Sequence, residues 1–332
     1  MQNGFSQWLQ GAWYNNDRRV WPLLPLSWLV AGVARFRLLR FRAKKLIPDV
    51  PVLVVGNITV GGTGKTPLVV SLCEYFLRHN KRVVVISRGY GAAPAHYPFA
   101  VEANHDASIV GDEPLLIAKR TGVPVIIDPR RKRALDMAVN QFNAEVVISD
   151  DGLQHYALPR TAEVLVLDGE RMYGNGYCLP AGPLREPVAR AKEVNWRVVN
   201  GRPERGIKDA LVMSLSLADP VNVRSGASMP MEDFVARFPF VKAVAGIGNP
   251  QRFFSALMAQ GLLVEPHAFK DHHAFCQQDF DALGAAVVLM TEKDAVKCSA
   301  LVGDNAWYVP VTAQLPTVFF DSVFETLMRS PA

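Results

Sequence analysis

The chain has 332 residues, of which 49% are hydrophobic and 20% charged, so it is expected to be a folded globular protein with one large or two ordinary domains. Its net charge is +5, yet residues 1–45 hold eight Arg and Lys against one Asp, which leaves the rest slightly acidic. A nucleic-acid-binding protein more often spreads basic residues over its folded surface, so we expect no nucleic-acid partner. The four cysteines form no C-x-x-C pair, which argues against a disulfide framework or zinc site and favours a reducing compartment.

The first predicted element is an apolar segment with a basic continuation. Residues 21–36 read WPLLPLSWLVAGVARF, and the following stretch alternates basic residues with Phe and Leu. The uncharged part has about fifteen residues, fewer than the roughly 20 needed to span a bilayer, and no signal-peptide cleavage pattern follows it. Trp21, Trp28 and Phe36 beside these cations predict an interfacial helix with peripheral membrane contact through residues 21–45. The alternative is a helix packed on the protein's own core with a solvated basic face.

From residue 50 onward, short apolar runs alternate with stretches of helical periodicity. The first series of runs lies at 50–55, 81–87, 124–128, 144–150 and 162–168, and the second lies at 241–247, 285–291 and 307–311. Such Val/Ile/Leu runs are typical of strands buried on both faces, and the intervening helices predict βαβ units with a mostly parallel sheet. The run at 210–217 is expected in a linker or a small sheet.

The Pro/Gly/Arg-rich string NGRPERG separates the two series of runs and is the predicted boundary between two α/β lobes. The predicted organisation is a membrane-associating segment at 1–48, a P-loop kinase domain at 49–205 and a smaller α/β lobe at 206–332. The fold class is therefore α/β, with a P-loop NTPase-like, mostly parallel sheet and an N-terminal membrane-surface helix.

Residues 56–67 read GNITVGGTGKTP and lie between a predicted strand and a predicted helix, the setting of a phosphate-binding loop. Glycines are needed where the backbone adopts left-handed angles or approaches phosphate closely, and Gly61, Gly62 and Gly64 supply three such positions. Thr59 replaces the first glycine of the strict pattern, where a turn tolerates a small residue. Lys65 can reach the β- and γ-phosphates and Thr66 can bind Mg²⁺. The predicted ATP-binding residues are Thr59, Val60, Gly61, Gly62, Thr63, Gly64, Lys65 and Thr66.

Two aspartates at the end of the run 144–150 are candidates for holding Mg²⁺. Asp150 and Asp151 stand at the end of this run, where P-loop proteins carry an acidic ligand. The alternative is a solvated Asp-Asp-Gly turn, and either aspartate could be the ligand. The string TEKD at 291–294 lacks the spacing of a guanine-reading motif, so ATP is preferred over GTP.

Two further polar clusters can be explained without a catalytic or binding role. Asp112 and Glu113 precede a helical run, where acidic residues complement the helix N-terminus. Asp271, His272 and His273 lie between two phenylalanines, and a histidine pair of this kind is more often structural or solvent-exposed. Consecutive side chains also point to opposite sides of an extended backbone, which argues against a two-histidine metal site.

Taken together, these strings resemble the tetraacyldisaccharide 4'-kinases of lipid A biosynthesis. The matching strings run in the family's order from about residue 50 to 300: GNITVGGTGKTP, SRGYG, GDEP, SDDGLQH, GPLREP, FKDHHAF and TEKDAVK. The family has the same residue type at Thr59, whereas the N-terminal segment matches in character only. The resemblance implies a kinase that uses ATP and Mg²⁺ to phosphorylate the 4'-hydroxyl of a tetraacylated glucosamine disaccharide 1-phosphate, giving lipid IVA. That lipid lies at the cytoplasmic face of the bacterial inner membrane.

The resemblance also implies roles for individual residues. Asp112 would accept the sugar hydroxyl proton, assisted by His272, and Lys65 would complete the catalytic set. Asp271 would hold His272 by a hydrogen bond to its second nitrogen. The residues expected around the substrate or metal are Glu113, Gln154, His155, Glu186, Asp271 and Arg131. Arg131 and its neighbours Arg130 and Arg133 would bind the distal 1-phosphate or form a solvated basic run.

Asp112 is expected in the first lobe and His272 in the second, so lobe closure would bring the two together. Two other functions fit part of the sequence: a P-loop switch or metallochaperone, and a cytosolic kinase of a soluble sugar. A lipid requirement for ATP turnover would exclude the first. Loss of membrane association on deletion of residues 1–45 would exclude the second.

Overall fold

The computed structural model describes residues 4–15, 17–44, 46–202 and 209–329. In this part of the chain the strands are β1 (Val52–Gly56), β2 (Val83–Ser87), β3 (Phe99–Val101), β4 (Val125–Ile127), β5 (Val146–Asp150), β6 (Ala162–Asp168), β7 (Trp196–Asn200), β8 (Ala210–Leu217), β9 (Val221–Asn222), β10 (Phe240–Ala245), β11 (Leu263–Ala268), β12 (Val288–Thr291), β13 (Ala306–Val309) and β14 (Val311–Gln314). The α-helices are α1 (Gly4–Tyr14), α2 (Leu24–Ala43), α3 (Lys65–Arg78), α4 (Ala107–Val110), α5 (Asp112–Thr121), α6 (Arg131–Phe142), α7 (Met231–Arg237), α8 (Pro250–Ala259), α9 (Gln277–Asp281), α10 (Glu292–Cys298) and α11 (Thr317–Arg329). Short 3₁₀ helices lie at Arg18–Leu23 and Val188–Lys192.

The chain divides into two compact units, each assembled from separate segments. Unit 1 comprises Met1–Arg88, Asp128–Ser214 and Leu315–Ala332, and unit 2 comprises Gly89–Ile127 and Leu215–Gln314. The continuous lobes expected from the sequence differ from this division because the chain enters unit 2 twice. A domain boundary can be recognised from local composition only where the linker differs clearly in composition from its surroundings. The first passage into unit 2, between Arg88 and Gly89, has no such linker. Of the boundary predicted at 205/206, residues 203–208 lie outside the described residues.

Unit 1 is built on a parallel sheet in the order β8-β7-β6-β1-β5-β2. Strands β1, β2, β5 and β6 are buried along their whole length, as their near-continuous apolar sequences predict. The parallel sheet is therefore confirmed. The placement of 210–217 in a linker or small sheet is wrong, because β8 pairs in parallel with β7. The sequence analysis did not predict β7, whose sequence is WRVVN and with which β8 pairs.

Unit 2 is a second α/β structure, as expected. Its sheet has the order β11-β10-β12-β13-β9, in which β9 is antiparallel to β13 and the other pairs are parallel. The segment Gly89–Ile127 adds the antiparallel pair β3–β4 and helix α5, which packs against α10. This packing fixes the N-terminal end of α5, where Asp112 lies, relative to α10.

The N-terminal apolar segment is helical and largely exposed. Arg18–Ala43 forms a helical run of 26 residues, long and apolar enough by length and composition to cross a membrane, with only 11% of its apolar window buried. Its exposed large side chains are Trp21, Leu26, Trp28, Leu29, Val33, Phe36 and Leu39. One edge packs on unit 1 through buried Ser27 and Leu38. The sequence analysis counted only the uncharged residues and so underestimated the length of this helix, because the basic C-terminal part continues it. Lys45, the last residue of the predicted membrane contact, lies outside the described residues.

Candidate active site

The phosphate loop of unit 1 connects β1 to the first residue of α3, as predicted. Gly61 and Gly64 have φ angles of +99° and +87°, a left-handed region that glycine adopts without strain. At Gly64 a Cβ would also lie 2.5 Å from Nδ2 of Asn200, which donates to the carbonyl of Thr63 at 3.1 Å. Gly62 has neither a positive φ nor a described neighbour within 4 Å of an added Cβ, so the fold of the loop does not itself require glycine there. The first N–H groups of α3 have no partner within the helix, which suits a bound phosphate.

The backbone of the GPLREP segment is hydrogen-bonded to the backbone of this loop. Val60 N donates to the carbonyl of Pro183 at 2.9 Å, and Arg185 N donates to the carbonyl of Ile58 at 2.7 Å. Thr59 lies between these two bonds, is buried and has no positive φ. The loop therefore accommodates a threonine at the position where the strict pattern has glycine.

A network of hydrogen-bonded polar side chains also contacts the start of this loop. The side-chain amide of Gln154 donates to the carbonyl of Asn57 at 3.0 Å and to Glu186 at 2.8 Å. Glu186 also accepts from the hydroxyl of Tyr156 and lies 3.7 Å from the guanidinium of Arg190. Gln154 and Glu186, predicted around the substrate or metal, are thus placed where they brace the phosphate loop.

Lys65 and Asp151 are paired beside the loop. Lys65 Nζ lies 3.5 Å from Oδ1 of Asp151, and Arg185 Nη1 lies 3.3 Å from Oδ2 of the same carboxylate. Burial raises the pKa of Asp151, but Lys65 and Arg185 outweigh this effect and hold that pKa below its ordinary value. The φ of Asp151 is +48°, a costly backbone conformation of the kind found at functional sites. The aspartate is therefore an ionised acceptor at neutral pH.

The residues predicted to hold Mg²⁺ have suitable chemistry. Asp150 ends β5 opposite Val55 of β1, so it lies at the edge of the sheet from which the phosphate loop departs. Thr66, Asp150 and Asp151 offer a hydroxyl and two carboxylates, the hard oxygen donors that Mg²⁺ uses with phosphates and water. Among the described residues, no three His, Cys, Asp or Glu side chains gather as a metal cluster. A phosphate-bound Mg²⁺ needs only one or two protein carboxylates, so the donor set fits the ion.

Arg131 lies at the start of α6 and is buried, with 2% of its surface exposed. It donates from Nη1 to the carbonyl of Asp128 at 2.9 Å and from Nη2 to the carbonyl of Asp150 at 3.3 Å. Burial lowers the pKa of Arg131 to about 10 despite the neighbouring carboxylates. The solvated-run alternative is wrong for this residue, because its guanidinium holds the end of β5. Binding of a substrate phosphate by Arg131 stays a prediction.

His155 lies in the same electropositive surroundings. Burial, together with the charges of Arg131 and Arg88, lowers the pKa of His155 to about 4. The imidazole is therefore neutral at physiological pH and can accept a hydrogen bond from a substrate group.

We expect His155 to make the protein less stable as the pH falls from about 6.5 to about 4. In this window the unfolded histidine binds a proton and the folded one does not, so the free energy of unfolding falls by up to about 1.4 kcal/mol per pH unit. Urea denaturation of the nucleotide-free protein and of His155→Gln at several pH values measures this slope. The variant should show the shallower decline, and equal slopes would contradict the assignment.

Asp112 and His272 form a contact within unit 2. Nδ1 of His272 lies 2.9 Å from Oδ2 and 3.2 Å from Oδ1 of Asp112, whose Oδ1 also accepts from the backbone N of Glu113 at 2.9 Å. The expectation that lobe closure brings the pair together is wrong, because both residues belong to unit 2. His272 has a φ of +58°, again a costly backbone conformation for a residue other than glycine.

The pair is polarised by its surroundings. The hydrogen bond to Asp112 raises the pKa of His272 above its ordinary value, against the opposing effects of burial and Lys293. Burial raises the pKa of Asp112, but His272 and Lys293 outweigh it and hold that pKa below its ordinary value. Asp112 is thus a buried, ionised carboxylate whose orientation is fixed by a hydrogen-bonded imidazole, so it is in the protonation state in which it can accept a proton.

The predicted hydrogen bond from Asp271 to His272 is not formed. Oδ1 of Asp271 lies 3.8 Å from Nε2 of His272, which is too long for a hydrogen bond. Lys293 Nζ instead lies 3.4 Å from this nitrogen and 3.2 Å from Asp271. The ammonium of Lys293 is therefore the polar neighbour of both Nε2 of His272 and the carboxylate of Asp271.

Comparison with known proteins decides the family. A family model described as LpxK, tetraacyldisaccharide-1-P 4'-kinase, matches residues 19–328. The chain belongs to this family. The tetraacyldisaccharide 4'-kinase of Alcanivorax borkumensis is 50% identical over 320 residues, which cover 96% of this chain and 97% of that protein. The kinase of the same name from Pseudomonas fluorescens (strain Pf0-1) is 46% identical over 328 residues, covering 98% and 97% of the two chains.

A solved structure agrees with the sequence relatives. The crystal structure of LpxK from Aquifex aeolicus in complex with ATP aligns with a TM-score of 0.76 and 25% identity, covering 93% of this chain and 99% of that chain. The predicted P-loop α/β fold is therefore confirmed, as is an ATP- and Mg²⁺-dependent kinase of the lipid A pathway. Within the 4'-kinase family, the roles of the individual site residues remain predictions.

Three residues that shape these sites were not singled out from the sequence: Asn200, Arg185 and Lys293. Arg185 and Lys293 lie inside strings that carried the family resemblance, so the strings themselves were the available signal. Lys293 was considered only as part of a guanine-reading motif. Asn200 ends β7, the strand that the sequence analysis missed.

Proposed function

We propose that this chain transfers the γ-phosphoryl group of ATP to the 4'-hydroxyl of a tetraacylated glucosamine disaccharide 1-phosphate, giving lipid IVA. The observation that carries the proposal is the 2.9 Å contact between buried Asp112 and half-buried His272. A kinase needs a group that takes the proton of the acceptor hydroxyl, whereas a P-loop switch does not. Membership of the 4'-kinase family supports the lipid as the acceptor.

In unit 1, the residues bind and neutralise phosphate. Lys65 and the loop amides supply positive charge to the β- and γ-phosphates, and the Asn57–Gln154–Glu186 network keeps the loop in one conformation. Thr66 with Asp150 or Asp151 would hold Mg²⁺, which supplies further neutralisation of phosphate charge when bound. His155 and Arg131 of this unit, and Glu113 of unit 2, are proposed to orient the substrate or the residues around it.

In unit 2, the residues move the proton. Asp112 accepts the proton of the sugar 4'-hydroxyl as the hydroxyl oxygen attacks the γ-phosphorus. His272 donates a hydrogen bond to the carboxylate and fixes its orientation. A carboxylate is a weak base at pH 7, and the hydrogen bond from His272 lowers the pKa of Asp112 further. The imidazole is therefore proposed to act by orienting the carboxylate toward the sugar hydroxyl rather than by raising its basicity.

The direct test is phosphoryl transfer to defined acceptors. The purified protein is incubated with γ-labelled ATP, Mg²⁺ and a tetraacyl disaccharide 1-phosphate, and ³¹P NMR locates the new phosphate. We expect label at the 4' position. The fully deacylated disaccharide 1-phosphate and a reaction without acceptor serve as controls. Equal transfer to the deacylated sugar would support a soluble-sugar kinase, and equal ATP turnover without acceptor would support a switch.

We also propose that α2 holds the protein on the cytoplasmic face of the bacterial inner membrane, so that the acyl chains of the substrate remain in the bilayer. The exposed apolar side chains of α2 would enter the lipid boundary, and its arginines would contact anionic headgroups. Arg35 and Arg42 pair with Glu193 at 2.6 Å and 3.1 Å, so the protein already offsets part of their charge. The apolar side chains are therefore expected to contribute most of the affinity. The oligomeric state is left open.

Removing three exposed apolar side chains of α2 should weaken membrane binding strongly. We expect the triple variant Trp28→Ser, Leu29→Ser, Phe36→Ser to lower the partition coefficient into anionic vesicles by about 100-fold or more, because each side chain gives up apolar burial of over 1 kcal/mol. Vesicle flotation measures the coefficient. The control variants Leu263→Ser and Val318→Ser, at side chains about as exposed, should bind like the parent.

Single charge variants in the same vesicle flotation assay measure the electrostatic contribution of α2 to membrane binding. Arg40→Gln should cost about 1 kcal/mol of attraction to anionic vesicles at low salt. Arg35→Gln should cost less, because Glu193 offsets the charge of Arg35. If the apolar triple variant floats like the parent, the membrane proposal is rejected.

A further inference from the structure

Lys293, on α10, lies at the centre of the charged groups around His272. Its Nζ is 3.0 Å from Oε1 of Glu113, 3.2 Å from Oδ1 of Asp271, 3.4 Å from Nε2 of His272 and 3.9 Å from Oδ2 of Asp112. The side chain is only 16% exposed. A largely buried lysine surrounded by three carboxylates stays protonated, and these carboxylates raise the pKa of Lys293 against the effect of burial.

Helix α10 is fixed relative to the loop that carries His272. Asp294 is fully buried, accepts from the backbone N of Gly246 at 2.8 Å and pairs with Lys297 at 2.8 Å. Lys297 in turn donates to the carbonyl of His273 at 3.2 Å. The contact of Asp294 joins α10 to the residue after β10, and that of Lys297 joins α10 to the loop of His272. The ammonium of Lys293 is therefore presented to the imidazole in a defined position.

The ammonium determines which nitrogen of the neutral imidazole carries the proton. A lysine ammonium only donates hydrogen bonds, so a neutral His272 that faces it must accept through Nε2. Its proton then resides on Nδ1, which faces Asp112. The other tautomer would direct an N–H at the ammonium and leave Nδ1 without a proton to donate to the carboxylate. Contacts on the two sides of the ring therefore favour the same tautomer.

We infer that Lys293 is a positioning residue that selects the Nδ1–H tautomer of His272 and so directs the hydrogen bond of the imidazole to Asp112. Its effect on the reaction rests on the proposed function, in which Asp112 accepts the substrate proton. Its effect on the tautomer does not. Lys293 thereby gives the TEKDAVK string a structural role in place of base recognition.

The charged groups that face His272 come from three elements. They are Asp112 of α5, Asp271 of the loop and Lys293 of α10, and the ring of Tyr90 lies 5.0 Å from the imidazole. Behind them, Glu113 of α5 pairs with Lys293, and Lys297 of α10 lowers the pKa of Asp112. Lys293 lowers the pKa of both His272 and Asp112. Its removal should therefore raise both values, which gives a pH signature distinct from a general loss of stability.

NMR of the full-length, ¹⁵N-histidine-labelled protein tests the inference directly. Long-range ¹H–¹⁵N correlation spectra report the tautomer and pKa of each imidazole, and His272→Gln assigns the signal. In the parent we expect the neutral His272 to be Nδ1-protonated. In Lys293→Met it should shift toward the Nε2-protonated form, and its pKa should rise. Lys293→Gln provides a second neutral variant that keeps a side-chain donor, should the methionine variant fail to fold.

Kinetics provide the second readout. In Lys293→Met the acidic limb of the kcat profile should move to higher pH, because the removed ammonium lowers the pKa of both His272 and Asp112. At pH 7, where Asp112 is ionised, kcat should fall by about tenfold because the imidazole donates less often to the carboxylate and orients it less well, with the ATP KM within a few-fold of the parent. Lys270→Met removes the same charge from an exposed position in the His272 loop and should leave the tautomer and the profile unchanged.

The outcomes separate this inference from the proposed function. An unchanged tautomer and pKa of His272 in both folded Lys293 variants would overturn the inference, whatever the activity. A changed tautomer with unchanged kcat would uphold the positioning of the ring by Lys293 and overturn the catalytic role proposed for Asp112 and His272. Changes in both support the inference and the proposed function together.

Discussion

Lys65→Ala is expected to lower kcat for phosphoryl transfer by about 10³-fold or more. The variant loses the compact cation that neutralises β- and γ-phosphate charge, and preorganised charge stabilisation of this kind has effects of that size. It also leaves Asp151 without one of its two cationic neighbours. Single-turnover measurements with labelled ATP at saturating Mg²⁺ and lipid acceptor determine the loss.

Lys132→Ala is the matched control for this variant. Lys132 is exposed in the same unit and pairs only along its own helix with Asp136, among the contacts of the described residues. It should keep the parent's kcat. If Lys65→Ala retains more than about a tenth of the parent's rate while folding normally, the catalytic assignment of the phosphate loop is wrong.

Asp112→Ala and His272→Ala are each expected to lower kcat by about 10²–10⁴-fold, the usual contribution of general-base assistance. ATP affinity should stay within a few-fold of the parent, because neither side chain is assigned to the nucleotide. The double variant should be little worse than the more damaging single variant, since residues that act as one unit are not additive. Rates, ATP affinity and melting temperature of all three variants are measured together.

Other roles for the pair give different results. A purely structural role of His272 predicts a lower melting temperature with kcat largely intact. A metal-binding role of Asp112 predicts partial recovery at high Mg²⁺. Losses that multiply in the double variant would show that the two residues do not act as one proton-accepting unit, despite their 2.9 Å contact.

Several features were predictable because their causes are local in the chain. The loop glycines Gly61 and Gly64, the strand-end Asp150 and the buried strands of unit 1 are expressed in runs of a few residues. Strand and helix periodicity, turn chemistry and helix start signals all act over such distances. The resemblance carried by seven short strings then indicated the family, which the comparisons confirmed.

Only the tertiary structure decided which distant segments share a unit and which polar groups meet. Arg131 is indistinguishable from its neighbours in the sequence, yet it is buried against the carbonyls of Asp128 and Asp150. Lys293 and Asp112 are 181 residues apart in the sequence, and packing of α10 on α5 brings their charged groups to 3.9 Å. The sequence by itself determined the phosphate loop, because its glycines and lysine act through the local backbone. The surroundings of His272 depend on long-range packing, which no local pattern encodes.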